Sequence, residues 1–195
     1  MESSKVILTD CDGVLLDWEY AFNQWMTKHG YKMTGDMSYW IHERFDVGYA
    51  DSKKLVRMFN ESAAVRKIPP LRDAIKYVKK LHEEHGYIFH MISAMTDDEY
   101  AQHLRVKNLT EMFGPTVFEK YVFLPCGGDK DEALGKYRDT DCWWVEDKTA
   151  NANLGSILGL RSILMEHDYN KEDSTEDDVV SASNWKQIYE MVTGV

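Results

Sequence analysis

The chain is poor in cysteine. Cys11, Cys126 and Cys142 are odd in number, widely spaced and without a CxxC pair, which argues against a disulfide framework and against a zinc site. Positive charge is also short: 23 Lys and Arg face 33 Asp and Glu, a formal net charge of -10. Such a chain repels a polyanion, so a nucleic-acid polymer is not an expected partner. A single phosphate on a small molecule is still admissible, because a bound divalent cation reverses the sign of the local field. No apolar run approaches the roughly 20 residues that cross a bilayer, and residues 1–5 lead into a strand-like segment without a signal-peptide core, so no membrane partner is expected. Together with reduced thiols, this points to a cytoplasmic address. Also missing are the GxxxxGK[ST] and GxGxxG phosphate loops, a Cys-x5-Arg loop, a GxSxG elbow and an HExxH zinc motif. Any phosphate chemistry must therefore rest on carboxylates and a metal.

What is present is an ordinary globular mixture, 44% hydrophobic and 29% charged over 195 residues, enough for one domain or for a core carrying a small insertion. Five apolar runs read as buried strands, at residues 6–8, 87–92, 121–124, 142–145 and 162–165. Helical patterns over 71–85, 97–108 and 149–158 alternate with them, and a last amphipathic helix is expected over 184–192. Alternation of this kind predicts an α/β fold, a doubly wound parallel sheet covered on both faces. Ligands of such sheets gather beyond the carboxyl ends of the strands. Residues 17–69 break the pattern with helix-like segments at 18–29, 39–45 and 51–64, a helical insertion closed by Pro69-Pro70. The acidic stretch 166–178 reads as a solvated loop. Trp143 and Trp144 are expected in the core, since both faces of the sheet should be covered.

Asp10-Cys11-Asp12-Gly13 places two carboxylates two residues apart at the end of the first strand. One can attack phosphorus to form an aspartyl-phosphate while the other protonates the leaving oxygen and later activates water. The plainer alternative is a pair of turn or capping aspartates. A calcium loop is excluded, because Val14 and Leu15 stand where a fifth-position ligand and a sixth-position glycine are needed. Cys11 has no His or Arg near it in sequence and lies between two carboxylates, which suits a small filler better than a nucleophile.

Residues 9–15 resemble the opening signature of the haloacid dehalogenase (HAD) superfamily of aspartate-nucleophile phosphatases, and the other family motifs follow in order at strand ends. The resemblance implies a Rossmann-like core over 1–16 and 70–195, with a C1-type helical cap over 17–69. It implies Asp10, Asp12, Ser93 and Lys130 as catalytic residues, with Lys136 as the fallback lysine, and Cys11, Asp12, Ser93, Ala94 and Lys130 around the phosphate. Glu146-Asp147 matches the acidic pair that anchors Mg2+. Asp10, Asp147 and the main-chain carbonyl of Asp12 would be ligands, Glu146 would act directly or through water, and Asn151 would orient the pair. The activity implied is hydrolysis of a small-molecule phosphate monoester.

The modest cap, the Asp129-Lys130 doublet and Asp168-Tyr169-Asn170 are similar to 5'(3')-deoxyribonucleotidases, which makes a nucleoside 5'-monophosphate the preferred substrate. Glu146-Asp147 is closer to sugar-phosphate phosphatases and mutases, so a phosphomutase or sugar-phosphate phosphatase stays open, as does a non-catalytic binding module. Phe22, Trp25, Tyr39 and Trp40 would either stack on a base or form the core of the lid.

Overall fold

The computed structural model describes residues 5–35, 38 and 40–195. Six parallel strands form a single sheet in the order β3-β2-β1-β4-β5-β6: β1 Val6–Thr9, β2 Ile88–Ala94, β3 Phe118–Leu124, β4 Trp143–Glu146, β5 Arg161–Met165 and β6 Val180–Ala182. Helices cover both faces, so the fold is the α/β, doubly wound parallel sheet that the alternation predicts. β1 lies in the middle, and alternate residues of the strands feed two cores. Ile7 and Val145 pack in the larger cluster, Leu8 and Trp144 in the smaller one with Leu134, Leu158 and Leu160. The chain winds outward from β1 to β2 and β3 on one side and to β4, β5 and β6 on the other. The carboxyl ends of β1, β2 and β4 thus meet at the switch point, where a crevice opens.

Three readings are corrected. The sheet has a sixth strand: β6 is only three residues long, sits at an edge and alternates too briefly to register as a period. Trp143 is half-buried, not core, with the Arg161 guanidinium 5.2 Å over its ring, whereas Trp144 is fully buried. The stretch 166–178 is not simply solvated, because its first turn packs inward and buries Asn170.

Between β1 and the helix α4 (Ala74–His85) the chain forms α1 Trp18–Lys28, α2 Ile41–Arg44, α3 Tyr49–Asn60 and a 3-10 turn, Ala63–Lys67. Asp17 caps α1 by accepting the Tyr20 N–H at 3.1 Å. These helices pack through an aromatic knot: Phe22 is fully buried, stacked 4.7 Å from Trp18 and edge-on to Phe45 and Phe59. Trp25 packs against Phe59 and His29. Phe22 therefore belongs to the core of the insertion with the half-buried Trp25 packed against it, and Tyr39 lies outside the described residues. Beyond β2 follow α5 Glu99–Phe113, α6 Asp131–Gly135, α7 Thr149–Ile157 and α8 Trp185–Thr193. No described helix is long and apolar enough to cross a membrane.

Candidate active site

The loop after β1 starts as a continuation of the sheet, with the Asp10 N–H on the Val145 carbonyl at 2.9 Å, and then turns back so that the Leu15 N–H reaches the Cys11 carbonyl at 2.8 Å. Gly13 makes the turn possible, since its φ is +73° and a Cβ there would run into the Asp147 carboxylate and the Tyr169 hydroxyl. The turn delivers Asp10 to the floor of a cavity of about 960 Å³. Its Oδ1 accepts the Cys11 N–H at 2.6 Å, and its Oδ2 lies 2.7 Å from Lys130 Nζ.

Lys130 is 2% exposed. Its ammonium also meets Glu146 Oε2 at 2.7 Å and sits 5.1 Å from the Trp144 ring. Burial alone would lower the Lys130 pKa, but the Asp10 and Glu146 charges outweigh it and hold the pKa above its ordinary value. Lys136, six residues further on, is exposed at the end of α6 and does not line the cavity. Of the preferred lysine and its fallback, Lys130 is the one placed against Asp10.

At the end of β4, Glu146 is fully buried and fully employed. Its Oε2 accepts from Lys130 and, at 3.2 Å, from Asn151 Nδ2, while its Oε1 accepts the N–H groups of Asp147 and Lys148, both at 3.0 Å. A carboxylate has about four acceptor positions, so Glu146 reaches a cation directly only by giving one up. Its bonds make it the anchor of Lys130, and Asn151 steadies it. Asp147 lines the same cavity beside it, and its Oδ2 accepts from the Tyr169 hydroxyl. Asn170 ties this loop down, donating to the carbonyls of Asp147 at 2.7 Å and Met165 at 2.9 Å. His167 stacks on Tyr169 with centroids 4.9 Å apart, and its Nε2 lies 2.7 Å from the Gly13 carbonyl oxygen.

Ligand atoms of Asp10, Glu146 and Asp147 lie within 4.8 Å of one another. Burial, with Glu146 alongside and Lys130 opposing, pushes the Asp10 carboxyl up to about 6. Burial and the Asp10 charge push Asp147 to about 6 as well. Burial first, and neighbouring negative charge second, thus hold both carboxyls away from their ionised form, a cost that a cation between them would offset. The donors are all carboxylate oxygens, a hard set that suits an oxygen-seeking cation rather than a thiophilic one.

Ser93 and Ala94, at the end of β2, line the same cavity, as does Asp12. Cys11 does not: its thiol is fully buried against Arg105 Nη1 at 3.2 Å, its N–H is given to Asp10, and burial holds its pKa up to about 12. The structure thus places Cys11 beneath the cavity lining and not on it, where the resemblance put it beside the phosphate. Arg105, which also pairs with the Asp12 carboxylate, went unnoticed in the sequence. So did His167 and the link from Tyr169 to Asp147. On the opposite wall α3 presents Tyr49, Ser52, Lys53, Val56 and Asn60 at helical spacing, and α2 adds Ile41 and His42.

No family model matches the chain. Over 140 residues it is 27% identical to an uncharacterized 32.4 kDa protein from the Gp30-rIII intergenic region of Enterobacteria phage T4, a match that takes in 68% of this chain and 49% of that protein. The chain thus spans about half the length of the curated relative it matches. Among solved structures, D,D-heptose 1,7-bisphosphate phosphatase from Burkholderia thailandensis aligns with 98% of this chain and 100% of its own, with a TM-score of 0.62 and 10% identity. A protein described as the putative HAD-hydrolase YfnB from Bacillus subtilis, bound to magnesium, aligns with 98% and 100% at a TM-score of 0.61 and 12% identity. The chain has the α/β fold of the HAD-like hydrolases.

Proposed function

We propose that the protein is a magnesium-dependent phosphohydrolase that acts on a small phosphate monoester, with Asp10 as the nucleophile. The observation that carries this reading is the triple juxtaposition at the cavity floor: Asp10 bonded to the buried Lys130, Asp147 close enough to share a cation with it, and Ser93 opening onto the same space. Lys130 holds the attacking carboxylate ionised and faces the charge of an incoming phosphoryl group. When bound, Mg2+ would supply charge neutralisation and in-line alignment of the phosphate, with Asp10 and Asp147 as its holders. The Ser93 hydroxyl and the Ala94 N–H would steady the phosphoryl oxygens, and Asp12 would serve as general acid and then general base. The T4 relative is uncharacterized, while the two fold neighbours are by name a phosphatase and a magnesium-bound hydrolase, which agrees with this chemistry.

Residues 17–69 act in this reading as a cap over the core formed by 1–16 and 70–195, shielding the acyl-phosphate from bulk water. The preferred substrate is a nucleoside 5'-monophosphate. Support comes from Trp40 and Tyr49, aromatic side chains each 52% exposed that line the same cavity as Asp10. Free thiols at Cys11, Cys126 and Cys142 agree with a cytoplasmic protein.

The test is release of inorganic phosphate from a panel of nucleoside monophosphates and sugar phosphates with MgCl2. Turnover is expected for wild type, none with EDTA and none for Asp10→Asn at unchanged circular dichroism. Near-normal hydrolysis by Asp10→Asn would refute the nucleophile. Isomerised product without free phosphate would mark a mutase instead.

A further inference from the structure

The buried face of α5 reads Ala101, Leu104, Arg105, Asn108 and Leu109, an i, i+3, i+4, i+7, i+8 stripe with a guanidinium where an apolar residue belongs. Arg105 is 0% exposed. Its Nη1 contacts Cys11 Sγ and pairs with Asp12 Oδ1, while Nε and Nη2 are buried and find no acceptor among the described residues. Desolvating a guanidinium costs several kcal/mol, and an apolar side chain of similar volume usually serves stability as well or better. Two orphaned N–H groups increase that cost. Stability therefore does not account for this residue. The Asp12 side chain is 20% exposed on the cavity side, its Oδ1 is held from beneath by Arg105, and its Oδ2 takes no hydrogen bond from the described residues.

We infer that Arg105 is a positioning residue that pins Oδ1 of Asp12, so that Oδ2 is the oxygen that exchanges a proton with the leaving group. The inference rests on the acid-base role given to Asp12 in the proposed function. When Asp10 attacks, the phosphorus forms a bond to its carboxylate oxygen and the bond to the ester oxygen breaks. The proton on Asp12 Oδ2 passes to that oxygen, which leaves as an alcohol, and Asp12 becomes a carboxylate. The same oxygen then takes a proton from the water that attacks the aspartyl-phosphate, which restores Asp10 and frees phosphate. Through both steps a one-point clamp fixes the carboxylate plane while leaving one oxygen accessible.

Leaving-group dependence separates this role from a structural one, because p-nitrophenolate departs without a proton and an alkoxide does not. In single turnover, Arg105→Met is expected to slow release of glycerol from glycerol phosphate by roughly 10- to 100-fold, less than the roughly 10^2- to 10^4-fold that loss of the general acid itself would cost. Release of p-nitrophenolate from p-nitrophenyl phosphate should change by less than about threefold, and KM for either probe should stay put, since the loss is confined to proton transfer. Asp12→Asn should show the same selectivity at larger size, and Arg105→Met added to Asp12→Asn should cost nothing more.

Equal slowing on both probes, no slowing on either, or multiplicative losses in the double variant overturns the inference. If Asp12→Asn itself lacks the selectivity, the acid-base reading of Asp12 falls, a result distinct from selectivity in Asp12→Asn alone, which removes only the part given to Arg105. Should Arg105→Met not fold, Arg105→Lys keeps the charge and loses the fork. It is expected to show the same selectivity in smaller measure, and unaltered kinetics on both probes would overturn the inference.

Discussion

Gly13 is the residue on which two loops depend, because it has a left-handed backbone and stands where a side chain would displace the Asp147 carboxylate. Gly13→Ala combines the strain of positive φ, about 1–3 kcal/mol, with a shift of Asp147. At about 2–4 °C per kcal/mol for a chain of this size, the melting temperature should fall by roughly 3–10 °C, and Mg2+ affinity by calorimetry should fall with it. Gly135→Ala is the control: nothing lies near its Cβ position, its φ is not positive and it sits in α6, so the melting temperature should hold or rise slightly with helix propensity and Mg2+ affinity should hold. Equal behaviour of the two variants would remove the close approach of Gly13 to Asp147 from the account. At this scale the sequence exposed what sits beside a strand end and hid what acts across the chain. Asp10, Asp12, Ser93, Glu146 and Asp147 all lie within four residues of the end of an apolar run, so a local pattern finds them. Arg105 meets Asp12 from 93 residues away and Tyr169 meets Asp147 from 22. Neither distance leaves a mark in any window that reveals helices or strands.

At the scale of elements, α7 lies so close to β4 and β5 that Gly155 has no room for a side chain: a Cβ would press on the Trp144 ring and on Ser162 Oγ. Alanine would gain about 1 kcal/mol of helix propensity. Against this stands overpacking beside a fully buried indole, about 1–3 kcal/mol, so the net sign should be destabilising. Urea midpoints of Gly155→Ala and wild type measure it, and a more stable variant would mean that β4 yields to the helix. The contact matters for the site because Trp144 carries Lys130 on its ring and its Nε1 donates to the Asn151 carbonyl at 3.0 Å. The core strands were legible because each is a run of apolar residues ending in polar ones. β6 was not, since three residues cannot display a period. The turn at 167–170 was read as solvated from its acidic neighbours, yet Asn170 is buried to serve two carbonyls, a demand set by the ends of β4 and β5 rather than by its own segment.

For the whole molecule, the buried acidic cluster links stability to pH and to the cation. In the cation-free fold, burial together with neighbouring carboxylates moves Asp10 and Asp147 from 3.8 up to about 6. The folded state then binds more protons than the unfolded chain between pH about 4 and about 6, so stability falls as pH rises through that window. The contribution is complete below the lower limit and gone above the upper one. Burial raises Asp12 and Glu146 in the same direction. Repulsion among the surplus acidic groups also grows with pH, so the diagnostic quantity is the difference between wild type and Asp147→Asn, which share the rest of the surface. In EDTA, the stability of Asp147→Asn relative to wild type should climb as the pH rises from about 4 to about 6 and level off above that window. MgCl2 at about 100 times its Kd should raise wild type by about 2.7 kcal/mol and the variant by much less. A difference between the two that ignores both pH and Mg2+ would mean that Asp147 and Asp10 do not share a charge problem, and therefore do not share an ion.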